Sequence, residues 1–214
     1  MSEQARQLAV GGAYAFTTTA FPDERGVFLS PYQRAVFVEA LGHPLFPVAQ
    51  CSYSVSRRGV VRGVHFTATP PGTAKYVYCP RGKVLDVVVD LRVGSPTFGA
   101  HDAVVLGGVD FPAVYLPVGL GHLFVALEDE TVMTYLLSTE YQRDKELAVA
   151  ALDPGLSLPI PADVTPLLSE RDRQAPTLAE ALAAGLLPGY PASLRAEAAL
   201  SVAPQLSGPG PRAR

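Results

Sequence analysis

The sequence predicts an all-β protein, and three observations carry that expectation. Short β-favouring segments recur from about residue 48 to residue 137, separated by turn signals that mostly contain Gly or Pro, in the rhythm of a sandwich or barrel. The chain holds 19 glycines and 20 prolines in 214 residues, about 18% against an ordinary usage of roughly 12%, with no collagen-like period. Hydrophobic residues make up 48% and charged residues 17%, so a sizeable core is available and wholesale disorder is excluded.

The segments follow in order. Val48–Val55 precedes the Arg57-Arg58-Gly59 turn, and Val60–Phe66 runs to the Pro70-Pro71-Gly72 break. Lys75–Cys79 leads through Pro80-Arg81-Gly82 into Val84–Leu91. There Leu85, Val87, Val89 and Leu91 share one face and Asp86 and Asp90 take the other, the alternation of a half-buried strand. Ala103–Leu106, Val114–Leu116, His122–Ala126 and Val132–Leu137 complete the series. Helix is expected only toward the C-terminus. Thr177 and Glu180 form a capping-box pattern with Gly185 as its stop, and a second short helix falls around Ser193–Leu200. These signals divide the chain into a β-domain over 1–176, a short helical segment over 177–200 and a disordered tail over 201–214.

The formal charge of −3 is too mild for a nucleic-acid or membrane-surface binder. Cys51 and Cys79 make no disulfide framework and lack CxxC spacing, the N-terminus has no apolar leader, and no apolar run reaches about 18 residues. The expectation is a cytoplasmic protein with reduced thiols.

Four histidines, His43, His65, His101 and His122, raise the question of a metal-binding barrel. No HxH, HxxxH or HExxH occurs, and His65 with His122 would supply only two ligands, so no metal is expected. No P-loop, dinucleotide fingerprint or G-x-S-x-G elbow is present. What stands out is Arg58-Gly-Val-Val-Arg-Gly-Val-His-Phe66. Strict alternation puts Arg62 and His65 on opposite faces; a shared site needs a bulge, and Gly63 is where one can form.

At this block, and at those that follow in order, the sequence resembles the dTDP-4-keto-6-deoxyhexose 3,5-epimerases. The matching pieces are Phe21-Pro-Asp-Glu-Arg-Gly-Val-Phe28, Gln50 with Ser52, Ser54 and Ser56, Gly59–Phe66, Lys75, Asp86–Arg92 and Ser95–Gly99. Pro117–His122, Tyr135 with Tyr141 and Glu146, Asp153-Pro154 and Leu168–Asp172 complete them, across about residues 14–178. The resemblance implies a metal-free cupin-type jelly roll that inverts carbon 3 and/or carbon 5 of a dTDP-4-keto sugar, with no cofactor. Phe66-Thr67, Ser52 and Ser30 stand where the family often has Tyr-Gln, Asn and Glu. Such departures look like the branch serving unusual deoxysugars in antibiotic pathways.

The resemblance also implies roles. A proton α to a ketone needs a base on one face, an acid on the other, and positive charge where the enolate forms. His65 would be the base, since histidine titrates near neutrality, with Asp172 as its carboxylate partner. Lys75 would hold the enolate charge, worth about 3–4 kcal/mol if it behaves as an oxyanion-hole donor. Tyr135 would return a proton to the opposite face, and His122 would position the carbonyl or the lysine. Arg62 and Arg25 would clamp the diphosphate, while Gln50, Phe28 and Ser52 would address the nucleotide side. In the family the segment carrying Arg25 crosses to a neighbouring subunit, which implies a homodimer. Taken alone, these residues have ordinary readings: a surface arginine, a core histidine or tyrosine, a strand-edge lysine. Asp172 in Ser169-Glu-Arg-Asp172 also fits a helix cap. A 3,4-ketoisomerase on the same sugar nucleotide and a non-catalytic sugar-nucleotide-binding cupin are the alternatives.

Overall fold

Residues 4–108 and 112–202 are described by the computed structural model. Their strands are β1 Ala5–Gln7, β2 Tyr14–Phe16, β3 Ala20–Asp23, β4 Gly26–Leu29, β5 Gln50–Ser56, β6 Val61–Thr67, β7 Lys75–Arg81, β8 Lys83–Asp90, β9 His101–Gly107, β10 Ala113–Leu116, β11 Leu120–Ala126, β12 Thr131–Leu137 and β13 Glu146–Ala148. The helices are α1 Arg34–Leu41, α2 Glu170–Arg173, α3 Leu178–Ala183 and α4 Tyr190–Val202. None of them is long and apolar enough to cross a membrane.

Two antiparallel sheets face each other, one in the order β1-β2-β10-β7-β12-β5 and the other β13-β6-β11-β8-β9. Between them lie Val77, Cys79, Val114, Leu116 and Met133 from the first sheet and Val84, Val88, Leu120 and Phe124 from the second. Each sheet is covered on its outer face as well. The aromatic side chains Phe16, Tyr76 and Tyr115 pack against Phe37 of α1 and Phe46, with Ala196 and Leu200 of α4 alongside. On the other sheet, Val61, Phe66, Val87, Val89 and Val125 pack against Val149, Leu156, Val164 and Ala181 from the chain after β13.

Burial on both faces corrects the expectation of a half-buried β8. The Leu85–Val87–Val89 face packs against the C-terminal segment, while Asp86 and Asp90 are fully buried on the other side. Val84 and Val88, which share that side, are core residues. Asp90 is held by Arg92, whose Nε and Nη2 donate to its two oxygens at 2.8 Å, and by the hydroxyls of Ser95 and Thr97 at 2.6 Å. Burial alone would raise its pKa, but those hydrogen bonds outweigh it and keep the carboxyl below the usual aspartate range.

The helical expectation also needs correcting, because α1 lies near the N-terminus. Gln33 at its start makes no side-chain cap, and Val36 and Val38 are weak helix formers; burial of Phe37 among aromatic rings decides the local structure. At α3 the Thr177–Glu180 capping box is present in both directions. α4 begins and ends beyond Ser193–Leu200, and its last residues, Ser201 and Val202, fall in the span expected as tail; the rest of 201–214 lies outside the described residues. The carboxylate of Glu197 on α4 accepts from the Tyr115 hydroxyl and from Val118 N at 2.8 Å, tying the helix to the turn before β11.

Candidate active site

The site is built where β6 lies beside β11. Register pairs His65 with His122 and Arg62 with Phe124, so Gly63 and Val64 together oppose Leu123. That bulge brings Arg62 and His65 to one face. Gly63 has φ of +128°, and a Cβ there would lie 2.4 Å from the carbonyl oxygen of His122, so only glycine fits the bend.

His65 is 30% exposed at a cleft of about 400 Å³, and its Nε2 lies 2.7 Å from Oδ1 of the buried Asp172. Asp172 reaches it from α2 and satisfies both sequence readings at once. Its backbone N–H donates to the Ser169 hydroxyl as a helix cap, which leaves the carboxylate free to accept from His65. Burial pushes the Asp172 carboxyl up; the hydrogen bond from His65, the attraction of that ring when it carries a second proton and the Ser169 hydroxyl pull it down further, to a net position below the ordinary range.

Lys75 sits on the facing sheet, buried, with Nζ 3.4 Å from the His65 carbonyl oxygen. Desolvation lowers its pKa, and the charges of Glu146 and Asp86 oppose that fall. Tyr135 on β12 stands opposite Ser52 of β5, and its ring meets that of His122 edge-on at 6.0 Å. Burial raises the Tyr135 hydroxyl well above the ordinary tyrosine value, the Ser54 hydroxyl draws it back, Asp86 adds to the rise and Arg62 opposes it. The phenol therefore keeps its proton at neutral pH, ready to donate. His122 is buried, with Nε2 2.6 Å from Oδ2 of Asp86.

Arg62 faces the cleft with His65, its Nε donating to Ser56 at 3.3 Å. Gln50 donates to the Ser52 hydroxyl at 2.8 Å and accepts from Tyr141 N at 2.8 Å. Two expected residues stand elsewhere. Arg25 and Phe28 lie on the β3–β4 hairpin, which pairs with neither large sheet. The Arg25 side chain is 86% exposed and bonded to Asp23, and Phe28 is 70% exposed. Three residues escaped the sequence reading. Arg57 and Arg171 line the cleft beside Asp172, and an isolated arginine carries no signal in a sequence. Asp86 had one: Val84 and Val88 alternate with it, which marks its side of β8 as apolar.

Two covered antiparallel sheets with a histidine–aspartate pair, a buried lysine and a half-buried tyrosine define a cupin-type jelly roll of the sugar-nucleotide epimerase kind, the fold shared with the solved structures below. The chain belongs to the dTDP-4-dehydrorhamnose 3,5-epimerase family, which matches residues 7–180. It is 51% identical over 207 residues to a dTDP-4-dehydrorhamnose 3-epimerase of Streptomyces niveus, covering 96% of this chain and 99% of the relative. A dTDP-4-dehydrorhamnose 3,5-epimerase of Mycolicibacterium smegmatis is 49% identical over 186 residues, covering 87% and 91%. Among solved structures, ChmJ, a 3'-monoepimerase from Streptomyces bikiniensis in complex with dTDP-quinovose, superposes with TM-score 0.86 and 44% identity, covering 92% of this chain and 98% of that one. The rmlC epimerase of Mycobacterium tuberculosis does so with TM-score 0.87 and 43% identity over the same shares.

Proposed function

We propose that this chain is an isomerase that inverts carbon 3, carbon 5 or both in a dTDP-4-keto-6-deoxyhexose, as a cytoplasmic enzyme of deoxysugar biosynthesis in an antibiotic-type pathway. The observation that carries the reading is the 2.7 Å His65–Asp172 pair at an open cleft, with the Lys75 ammonium next to it.

The ketone at carbon 4 acidifies the hydrogens on both neighbouring carbons, so no cofactor enters the chemistry. His65 takes the proton from one face of the sugar, and Asp172 fixes its tautomer and stabilises the imidazolium that forms. The electron pair of the broken C–H bond moves to the carbon 4 oxygen, where Lys75, oriented by His122, holds the enolate. Tyr135 then donates its proton to the opposite face, and the carbonyl re-forms with inverted configuration. A proton returned from solvent restores Tyr135, and His65 releases its own to solvent through the cleft. Arg62 holds the diphosphate, with Arg171 flanking the same cleft.

The working unit is a homodimer in which the β3–β4 hairpin carries Arg25 and Phe28 to the partner's cleft, beside Gln50 and Ser52. The barrel through residue 176 is the catalytic unit, and the helical segment after it covers the sheets. Epimerases on both sides of the sequence comparison favour this reading over a ketoisomerase or a silent binder.

The test is to incubate the protein with dTDP-4-keto-6-deoxyglucose in deuterium oxide and follow carbons 3 and 5 by NMR. Deuterium at one or both carbons is expected and defines the regiochemistry. Deuterium at neither sinks the proposal.

A further inference from the structure

His65 and His122 are direct partners across β6 and β11, and each has its own carboxylate. The two pairs are unlike. His65 looks into the cleft, whereas His122 and Asp86 are both buried, and Asp86 is fully so. Asp86 reaches His122 diagonally across the β8–β11 ladder, from the position opposite Phe124. Its Oδ2 takes the imidazole; its Oδ1 is buried with no hydrogen-bond partner among the described residues. A carboxylate left half-bonded in a core costs stability, so it marks a functional demand rather than good packing. Lys75, also buried, feels Asp86 as one of the two carboxylates whose charge opposes its desolvation.

We propose that Asp86 is a positioning residue for the epimerisation: its Oδ2 holds His122 with the proton on Nε2, which leaves Nδ1 to accept from the Lys75 ammonium. This rests on the catalytic reading above. Asp86 does not touch the sugar; it acts through His122 and Lys75, of which Lys75 meets the carbon 4 oxygen. Glu146 on β13 and Asp86 on β8 are the charges that act on Lys75, the His65 carbonyl of β6 lies 3.4 Å from its Nζ, and its ladder partners are the apolar Leu116 of β10 and Leu137 of β12. The carboxylates Glu146 and Asp86 both favour the ammonium, so removing Asp86's charge weakens its support.

The substitution Asp86→Asn keeps the shape and an acceptor for His122 while deleting the charge. In the variant, the alkaline limb of kcat for deuterium incorporation should move about one pH unit toward acid, with dTDP affinity within about twofold of the parent. An unchanged pH profile overturns the proposal. Nitrogen-15 NMR of the four histidines in the unaltered protein supplies a readout that needs neither turnover nor a variant. His122 should carry its proton on Nε2, and a proton on Nδ1 alone contradicts Asp86's role. If the unaltered protein exchanges no deuterium, the catalytic reading fails, and the nitrogen-15 pattern decides the Asp86–His122 assignment by itself.

Discussion

Gly63 determines where two side chains of the candidate site point. Its backbone, at φ +128°, supplies the extra residue that brings Arg62 onto the face of His65, and the His122 carbonyl fills the space a side chain would take. Gly63→Ala should therefore destabilise the protein by about 3 kcal/mol or more, measured by urea unfolding. It should also reduce activity in whatever fraction stays folded, because His65 loses its angle to Asp172. Stability within about 0.5 kcal/mol of the parent would show that the bend tolerates a Cβ. This bulge was legible in the sequence: Arg62 and His65 are three apart with a glycine between them. The Asp172 contact was not legible from spacing, since 107 residues separate it from His65 and its local pattern reads equally as a helix cap.

Elements differ in how far their sequences announce them. The barrel strands from β5 to β11 are separated by Gly and Pro turns and β12 follows an acidic turn at 128–130, so their existence and order follow from the chain. β1 to β4 are only three or four residues long, too short for a period to register, and α1 exists because Phe37 is buried rather than because its residues favour helix. β8 shows the limit of alternation: it tells which residues share a face, not whether a second layer covers that face. Asp90 gives β8 a measurable pH signature. Its folded pKa is depressed, so the stabilisation from its Arg92, Ser95 and Thr97 bonds is fully present above the ordinary aspartate value near 4. That contribution is lost as pH falls through the lower folded value. Asp90→Asn should be less stable than the parent at neutral pH, and the gap should narrow steadily as the solution is acidified below about pH 4. A constant gap would mean that Asp90 contributes by packing alone.

At the scale of the whole molecule, the barrel concentrates a site that the overall charge of −3 conceals. Four strands and one short helix bring His65, Lys75, His122, Tyr135 and Asp172 to one end of the interior, whereas Arg25 and Phe28 stay outside on an exposed hairpin. That split makes the single chain look incomplete and motivates the proposed dimer. Sedimentation velocity should give a species of about 45 kDa, twice the 22.6 kDa chain, and fully active monomers would remove the hairpin from the site. The fold class could be read from turn spacing alone, but the convergence of the site rested on a family resemblance, because long-range contacts leave no local trace. The central claim is that His65 is the base. The most direct measurement compares deuterium incorporation into dTDP-4-keto-6-deoxyglucose by the unaltered protein and by His65→Asn, with dTDP affinity measured on both. The account predicts that exchange at carbons 3 and 5 disappears in the variant while dTDP still binds; exchange at the parent rate would contradict it.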